Sequence, residues 1–425
     1  MLIVLLQKSI KKDKIISPKG IDLTVIMFTF TGILVVLGSL GFGRFSMALI
    51  LPSMQKGLGF THSQMGFIVT VAFLGYLSFS LGSGIAAARW GASKIITCSL
   101  FLTGFSMLLT GLGSGFLWPL IWLALAGVGM AGANIPIMAM AVAWVPTERR
   151  GLASGLLVSG SGFGLIINGF LLPRLLSAPG GQGWRTAWIW LGIAVIIIGI
   201  WTYFKLKDRP SNSSITQVPT NPITESIWKK IFMIFKEKPV LRRLAVIYFA
   251  FGFSYVIFTT FFGAYLTGTR GWSTVNAGRL WSWVGIFSMP SGFVWGWVSD
   301  RIGRRWGLFT VYVIHGSCLI AFATSPWEEV IVIAALIYGL SIFSVPAIMN
   351  ATCGDEVGTQ LAPTAFGAVT VAFGLGQMAA PAVAGAMLDM GWGMVQNLWL
   401  SALIAFLGAL VAVFLHQPIF KRITN

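Results

Sequence analysis

Gly296-Trp-Val-Ser-Asp300-Arg301-Ile-Gly303-Arg304-Arg305 separates two long apolar runs. A second copy stands 212 residues earlier as Gly84-Ile-Ala-Ala-Ala88-Arg89-Trp-Gly91-Ala-Ser-Lys94. The same offset separates Gly155 from Gly367. Gly129 and Pro136 lie 210 residues before Gly339 and Pro346, and Gly41-Phe42 lies 211 before Gly252-Phe253. Landmarks of unrelated type that share one offset mark a tandem duplication, here of a unit containing six apolar runs.

Composition says what surrounds those runs. Of 425 residues, 56% are hydrophobic and only 10% charged, and the mean hydropathy is +0.84. A soluble domain carries roughly 25% charged residues, so this chain cannot cover a surface facing water and takes the bilayer as its solvent. The 51 glycines and 18 tryptophans agree, because glycine lets membrane helices approach closely and tryptophan favours the interfaces. Spans are predicted at about 23–52, 64–88, 95–114, 117–145, 152–176 and 186–206, then at about 240–267, 276–298, 306–324, 329–351, 363–388 and 396–416. The fold class expected is an all-α membrane protein of twelve transmembrane helices in two six-helix halves.

The remaining segments complete the plan. Residues 1–22 form a lysine-rich arm, 23–206 the first half, 207–238 a linker, 239–416 the second half and 417–425 a tail. Lys207 to Pro222 is rich in Pro, Ser, Asn and Thr, as linkers are. Glu225 to Lys238 suits a short amphipathic helix on the membrane surface. The first residues, Met1 to Leu6, are too short for a signal sequence, so no cleaved leader is expected.

The net charge of +17 is explained by topology. Of 29 Lys and Arg, 23 fall in the arm, linker, tail and the loops on their side, five on the opposite side, and the last is Arg44. Basic residues collect on cytoplasmic loops, so both termini are expected in the cytoplasm and nucleic acid is not an expected partner. Three cysteines without ligand spacing support neither a disulfide frame nor a metal site. No phosphate-binding Gly-rich loop, nucleophile elbow or zinc motif is present, so no cofactor and no enzymatic activity are expected.

The Gly296–Arg305 segment resembles the inter-helix signature of the major facilitator superfamily, Gly-x-x-x-Asp-Arg-x-Gly-Arg-Arg. With the spans, linker and repeat, the resemblance covers essentially the whole chain. The run Gly41-Phe-Gly-Arg-Phe45, followed by Leu51-Pro52, looks like the bacterial YbfB/YjiJ-type branch. The resemblance implies a transporter working by alternating access, with Gly296, Asp300, Arg301, Gly303 and Arg304 in gating. On chemistry alone, Asp300 can pair with a neighbouring arginine or cap a nearby helix. The resemblance implies that it does so across the halves, near Gly151-Leu-Ala-Ser154, when the carrier opens outward. Ala88 replaces the acid in the first copy, so asymmetric gating is expected.

The resemblance also implies that the first, fourth, seventh and tenth helices line a central cavity, flanked by the second, fifth, eighth and eleventh. Arg44, Tyr76, Asn134, Asn168, Tyr255, Asn350 and Gln377 are the polar residues inside those spans. Arg44 is the only charge well inside any run, where an arginine costs about 2.5–3.5 kcal/mol on insertion scales. Tyr255 is its partner at an offset of 211. Arg44, Tyr255, Asn134, Tyr76, Asn350 and Gln377 are the candidate substrate-binding residues. A guanidinium fork with neutral hydrogen-bonding groups suits a carboxylate or sulfonate. Arg44 could instead be structural, bonding helix carbonyls or lying at the outer rim, and the amides and tyrosines could serve helix packing.

All twelve Asp and Glu fall in expected loops or at helix edges. A buried proton-carrying carboxylate and an anionic cavity for drug cations are therefore both absent from the pattern. His315 lies inside the ninth run and reads as a packing histidine rather than a proton relay; His62 and His416 lie at span ends. The expectation is a carrier of a small organic anion in the bacterial inner membrane, acting as a monomer. It would be driven by the substrate gradient, by exchange or by protons carried with the anion. The competing expectation is an exporter of hydrophobic or drug-like compounds.

Overall fold

A computed structural model of the chain describes residues 23–144, 150–177, 179–208, 239–357 and 362–415, and every regular element in them is helical. The expected arm and tail, and the linker beyond residue 208 with its amphipathic helix, lie outside the described residues. The first half contains α1 (Leu23–Val36), α2 (Met47–Leu58), α3 (His62–Trp90), α4 (Ala92–Leu112), α5 (Leu117–Trp144), α6 (Arg150–Leu176) and α7 (Gly183–Lys205). The second contains α8 (Pro239–Ala264), α9 (Thr274–Ser288), α10 (Ser291–Ile302), α11 (Arg304–Thr324), α12 (Glu328–Ser341), α13 (Ser344–Val357), α14 (Ala362–Asp389) and α15 (Met394–Val413).

Eleven helical stretches among the described residues are long and apolar enough to cross a membrane. The expected run at 276–298 is missing from that set because it is two helices, α9 and α10, parted at Pro290. Proline has no N–H to continue the ladder and its ring clashes with the preceding turn. The expected run at 329–351 is also divided, between α12 and α13. The two breaks are tied together: the Phe343 N–H donates to Ser291 Oγ at 3.2 Å. The expected first run is divided too, by a π-helical turn at Leu37–Phe42.

The duplication reappears in backbone geometry. Gly91 and Gly303, 212 residues apart, both hold a left-handed conformation, with φ of 95° and 91°. Gly59 and Gly271 repeat the relation with φ of 66° and 70°. A side chain at such φ is strained, so glycine ends these helices at low cost. Thr61 and Ser273, again 212 apart, both accept the third N–H of the following helix on their hydroxyls.

One end of the bundle, here the terminal face, carries Leu23, Leu415 and the Gly91 and Gly303 turns. The other, distal, face carries the Gly59 and Gly271 turns. Toward the distal face the halves pack backbone to backbone through α3 with α14 and α6 with α9. A Cβ on Gly66 would stand 2.2 Å from the Pro381 carbonyl, and one on Gly169 would stand 2.2 Å from the Gly278 carbonyl. Thr70 Oγ1 donates to the Met378 carbonyl at 2.8 Å, and Ser282 Oγ to that of Ile166 at 3.0 Å. Toward the terminal face α3, α14 and α6 separate, as does α10, which follows α9. Gly84, Gly155, Gly296 and Gly367 have no heavy atom of another group within 4 Å of an added Cβ. The cleft between the halves is closed distally and open at the terminal face.

Candidate functional site

The Gly41-Phe-Gly-Arg-Phe45 segment is where α1 leaves regular geometry. Gly43 and Phe45 donate their N–H groups to Gly38 and Leu40, five residues back, at 3.2 and 3.0 Å. Such wide turns interrupt helices at functional positions. Its glycines have packing reasons. A Cβ on Gly41 would lie 2.9 Å from the Cα of Gly164 on α6, and one on Gly43 would meet the Met130 sulfur on α5 at 2.8 Å. Asn168 holds the turn by donating Nδ2 to the Gly41 carbonyl at 2.8 Å. That buried bond gives Asn168 a structural task.

Arg44 projects from this break. Its guanidinium lies 4.9 Å from the Phe73 ring centroid on α3, 5.1 Å from Tyr255 on α8 and 5.7 Å from Phe45. The pairing with Tyr255 expected from the repeat is therefore present, face to cation, between the halves. Rings stabilise a cation by about 0.5–2 kcal/mol each, yet they accept no conventional hydrogen bond. Arg44 Nε and Nη2 are buried without a hydrogen-bond partner. Neither nitrogen bonds a helix carbonyl, so the structural alternative of carbonyl binding does not describe them. A small cavity beside the guanidinium is lined by Arg44, Met47, Ala72, Phe73, Tyr76 and Met130.

The remaining candidates divide. Asn134 Nδ2 donates to Tyr76 Oη at 3.2 Å, linking α5 and α3 at the edge of this cavity. Gln377 on α14 is buried, and its Nε2 has no hydrogen-bond partner. Asn350 on α13 is exposed, away from the described lining. His315 is buried, with Nε2 at 3.2 Å from the Ser341 carbonyl and its ring stacked at 4.5 Å on Tyr338, as the packing reading expects. Phe73, Met47 and Met130 were invisible as site residues because apolar side chains inside a membrane run carry no distinguishing signal.

The two faces are held differently. At the terminal face Arg304 donates to two acids: Nη1 lies 2.5 Å from Asp300 Oδ1, and Nε lies 2.9 Å from Asp355 Oδ2 on α13. All three residues belong to the second half, and Asp300 is largely exposed. The side chains of residues 151–153, its expected target, lie outside the described residues. Arg301 rests on the Trp297 ring at 3.5 Å. In the first half, where Ala88 replaces the acid, a carboxylate comes from elsewhere: Asp208 accepts the Ser93 N–H at 2.7 Å beside Gly91.

At the distal face a carboxylate crosses between the halves. Asp389, the last residue of α14, accepts the N–H groups of His62 and Ser63 at 3.0 and 2.8 Å. Thr61 and Gln64 complete the first turn of α3 reciprocally, at 3.0 and 3.1 Å. Four N–H groups that a helix start leaves without partners are thus satisfied, two of them by the opposite half.

Comparison with known proteins agrees with this architecture. The chain is 27% identical over 308 residues to the hexuronate transporter of Bacillus subtilis (strain 168), covering 71% of each. It is 23% identical to a probable sulfoacetate transporter of Cupriavidus necator, over 88% of this chain and 90% of the relative. A solved bacterial homologue of the human lysosomal transporter Spinster superposes with a TM-score of 0.75 at 16% identity, covering 93% of this chain and 97% of that one. The Major Facilitator Superfamily family model matches residues 33–381 and again 289–423, and with the duplicated helical halves around Arg44 this shows that the chain is a multi-pass membrane transporter belonging to that superfamily.

Proposed function

We propose that this protein is a secondary active carrier of small organic anions, with Arg44 as the anion-binding residue. The observation that carries the reading is the pair of buried, unpartnered nitrogens on Arg44. A cation with two nitrogens shut off from water and unpaired is costly, and no described Asp or Glu lies in the interior of a span to neutralise it. A carboxylate or sulfonate entering with the substrate would supply two charge-assisted hydrogen bonds to the fork. The relatives named as hexuronate and sulfoacetate transporters are consistent with that chemistry.

The cycle follows from the two faces. The sequence assigns 23 of 29 basic residues to the arm, linker, tail and the loops on their side, so by the positive-inside rule we take the terminal face as cytoplasmic and the conformation as open inward. The membrane is the bacterial inner membrane, and one chain is the working unit. Opening outward would separate α3 from α14 distally and bring the terminal ends of α6 and α10 together. Asp300, released from Arg304, is then the group available to latch that end, with Gly296, Arg301 and Gly303 shaping its turn. Tyr255, Tyr76 and Asn134 would orient the bound anion, and Gln377 and Asn350 would meet it along the cleft. No fixed carboxylate is needed for proton movement, because a weak acid can bring its own proton.

Uptake into proteoliposomes tests the reading. Labelled glucuronate, sulfoacetate and benzenesulfonate are compared with tetraphenylphosphonium, with and without a pH gradient. Uptake of at least one anion, abolished by Arg44→Ala, is expected. Uptake of the phosphonium alone would favour an exporter of lipophilic compounds and overturn it.

A further inference from the structure

The side chains around Arg44 bear on the body of the anion. Six residues line the cavity beside the guanidinium, and four of them, Met47, Ala72, Phe73 and Met130, offer no conventional hydrogen bond. Tyr76 is the one neutral polar side chain among them, and its hydroxyl already accepts from Asn134. The rings of Phe45 and Tyr255 close on the guanidinium from the two halves. Arg44 is also the one charged residue in that lining.

We propose that the site selects monoanions with an apolar, preferably aromatic, body, and discriminates against polyhydroxylated sugar acids and dicarboxylates. This rests on the anion reading of Arg44 and narrows it. A carboxylate or sulfonate pairs with Nε and Nη2, the buried nitrogens without partners. The substituent behind it then lies against Phe73 and the two methionines, whose flexible thioethers adapt to apolar and aromatic shapes. A hexuronate carries several hydroxyls, each of which needs a partner once out of water. Tyr76 and Asn134 can serve one or two, Tyr255 turns its ring face to the guanidinium, and Gln377 and Asn350 stand outside this lining. Each stranded hydroxyl lowers affinity about tenfold. The second carboxylate of a dicarboxylate meets no second cation in the lining. The chain therefore parts from the relative named as a hexuronate transporter in the body it accepts, while sharing the charge.

Binding of labelled phenylacetate, benzenesulfonate, galacturonate and succinate to the purified full-length protein decides it. The aromatic monoanions should bind at least about tenfold more tightly than galacturonate or succinate. Arg44→Gln should abolish binding of the aromatic anions. Phe73→Ser should weaken the aromatic anions and narrow their advantage over galacturonate; should that variant fold poorly, Met130→Gln reads the same wall from α5. Galacturonate or succinate binding as tightly as phenylacetate, with dependence on Arg44, would overturn this selectivity and leave the anion reading standing. Aromatic binding that survives Arg44→Gln, or binding of none of the four, would overturn both.

Discussion

Asp389→Ala isolates the clamp that closes the distal face. The substitution removes two hydrogen bonds from a carboxylate to the His62 and Ser63 N–H groups, and with them a negative charge at the start of α3. A capping side chain contributes about 0.5–2 kcal/mol, and a charge at a helix terminus about 0.3–1 kcal/mol. The site is exposed to solvent, which screens it, so we take about 1 kcal/mol for the whole effect. Because Asp389 and α3 belong to different halves, the loss falls on the distally closed state and not on either half alone. The ratio of distally closed to distally open molecules should fall about fivefold. Spin labels at Leu117 and Met390, both exposed near the distal ends of opposite halves, report that ratio as a distance distribution in protein whose exposed Cys98 is replaced by serine. An increase of the long-distance population in the variant is expected, and Asp389→Asn should fall between the two. An unchanged distribution, with folding intact, would refute the clamp.

Three further outcomes follow from the packing. Gly66→Val places methyl groups against the Pro381 backbone of the other half, so transport should be lost with expression retained; full transport by this variant would contradict the close packing. Gly303→Ala forces an alanine to φ near 91°, and should lower stability by about 1–2 kcal/mol, read as a fall in melting temperature; an unchanged Tm would contradict it. Asp355→Asn breaks one partly exposed ion pair of Arg304, worth at most about 1 kcal/mol. It should alter the balance of conformations in the spin-label assay more than it alters thermal stability.

Much of this fold is legible from apolar runs and the repeat. Eleven of the expected spans have helical stretches of membrane length among the described residues, the run at 276–298 is two shorter helices, and Arg44 does meet Tyr255. The departures have local causes. The break at Leu37–Phe42 hides inside a uniformly apolar run, because glycine in a membrane helix can signal close packing, a bend or both. The break at Pro290 was less legible than the proline suggests, since Pro136, Pro173 and Pro381 lie inside continuous helices. What decides is whether neighbours re-satisfy the freed carbonyls, which pattern alone does not contain. The walls of the site look like ordinary membrane residues until folding sets them beside a guanidinium. Asp389 reads as a loop acid because the backbone it caps lies 327 residues away.

The bare guanidinium also bears on the return stroke of the cycle. On the anion reading, a carrier that has released its cargo must enclose the rest of the partly buried Arg44 guanidinium to reach the other side, with no anion on it. That occlusion carries a penalty of several kcal/mol. A carrier returning with an anion bound moves a neutralised pair, and the penalty largely disappears. The empty crossing is then the slow step, and swapping one anion for another outruns net flux. Preloading vesicles with unlabelled substrate should accelerate entry of label by about tenfold or more, and Arg44 becomes the residue that keeps an unloaded carrier from idling its gradient away.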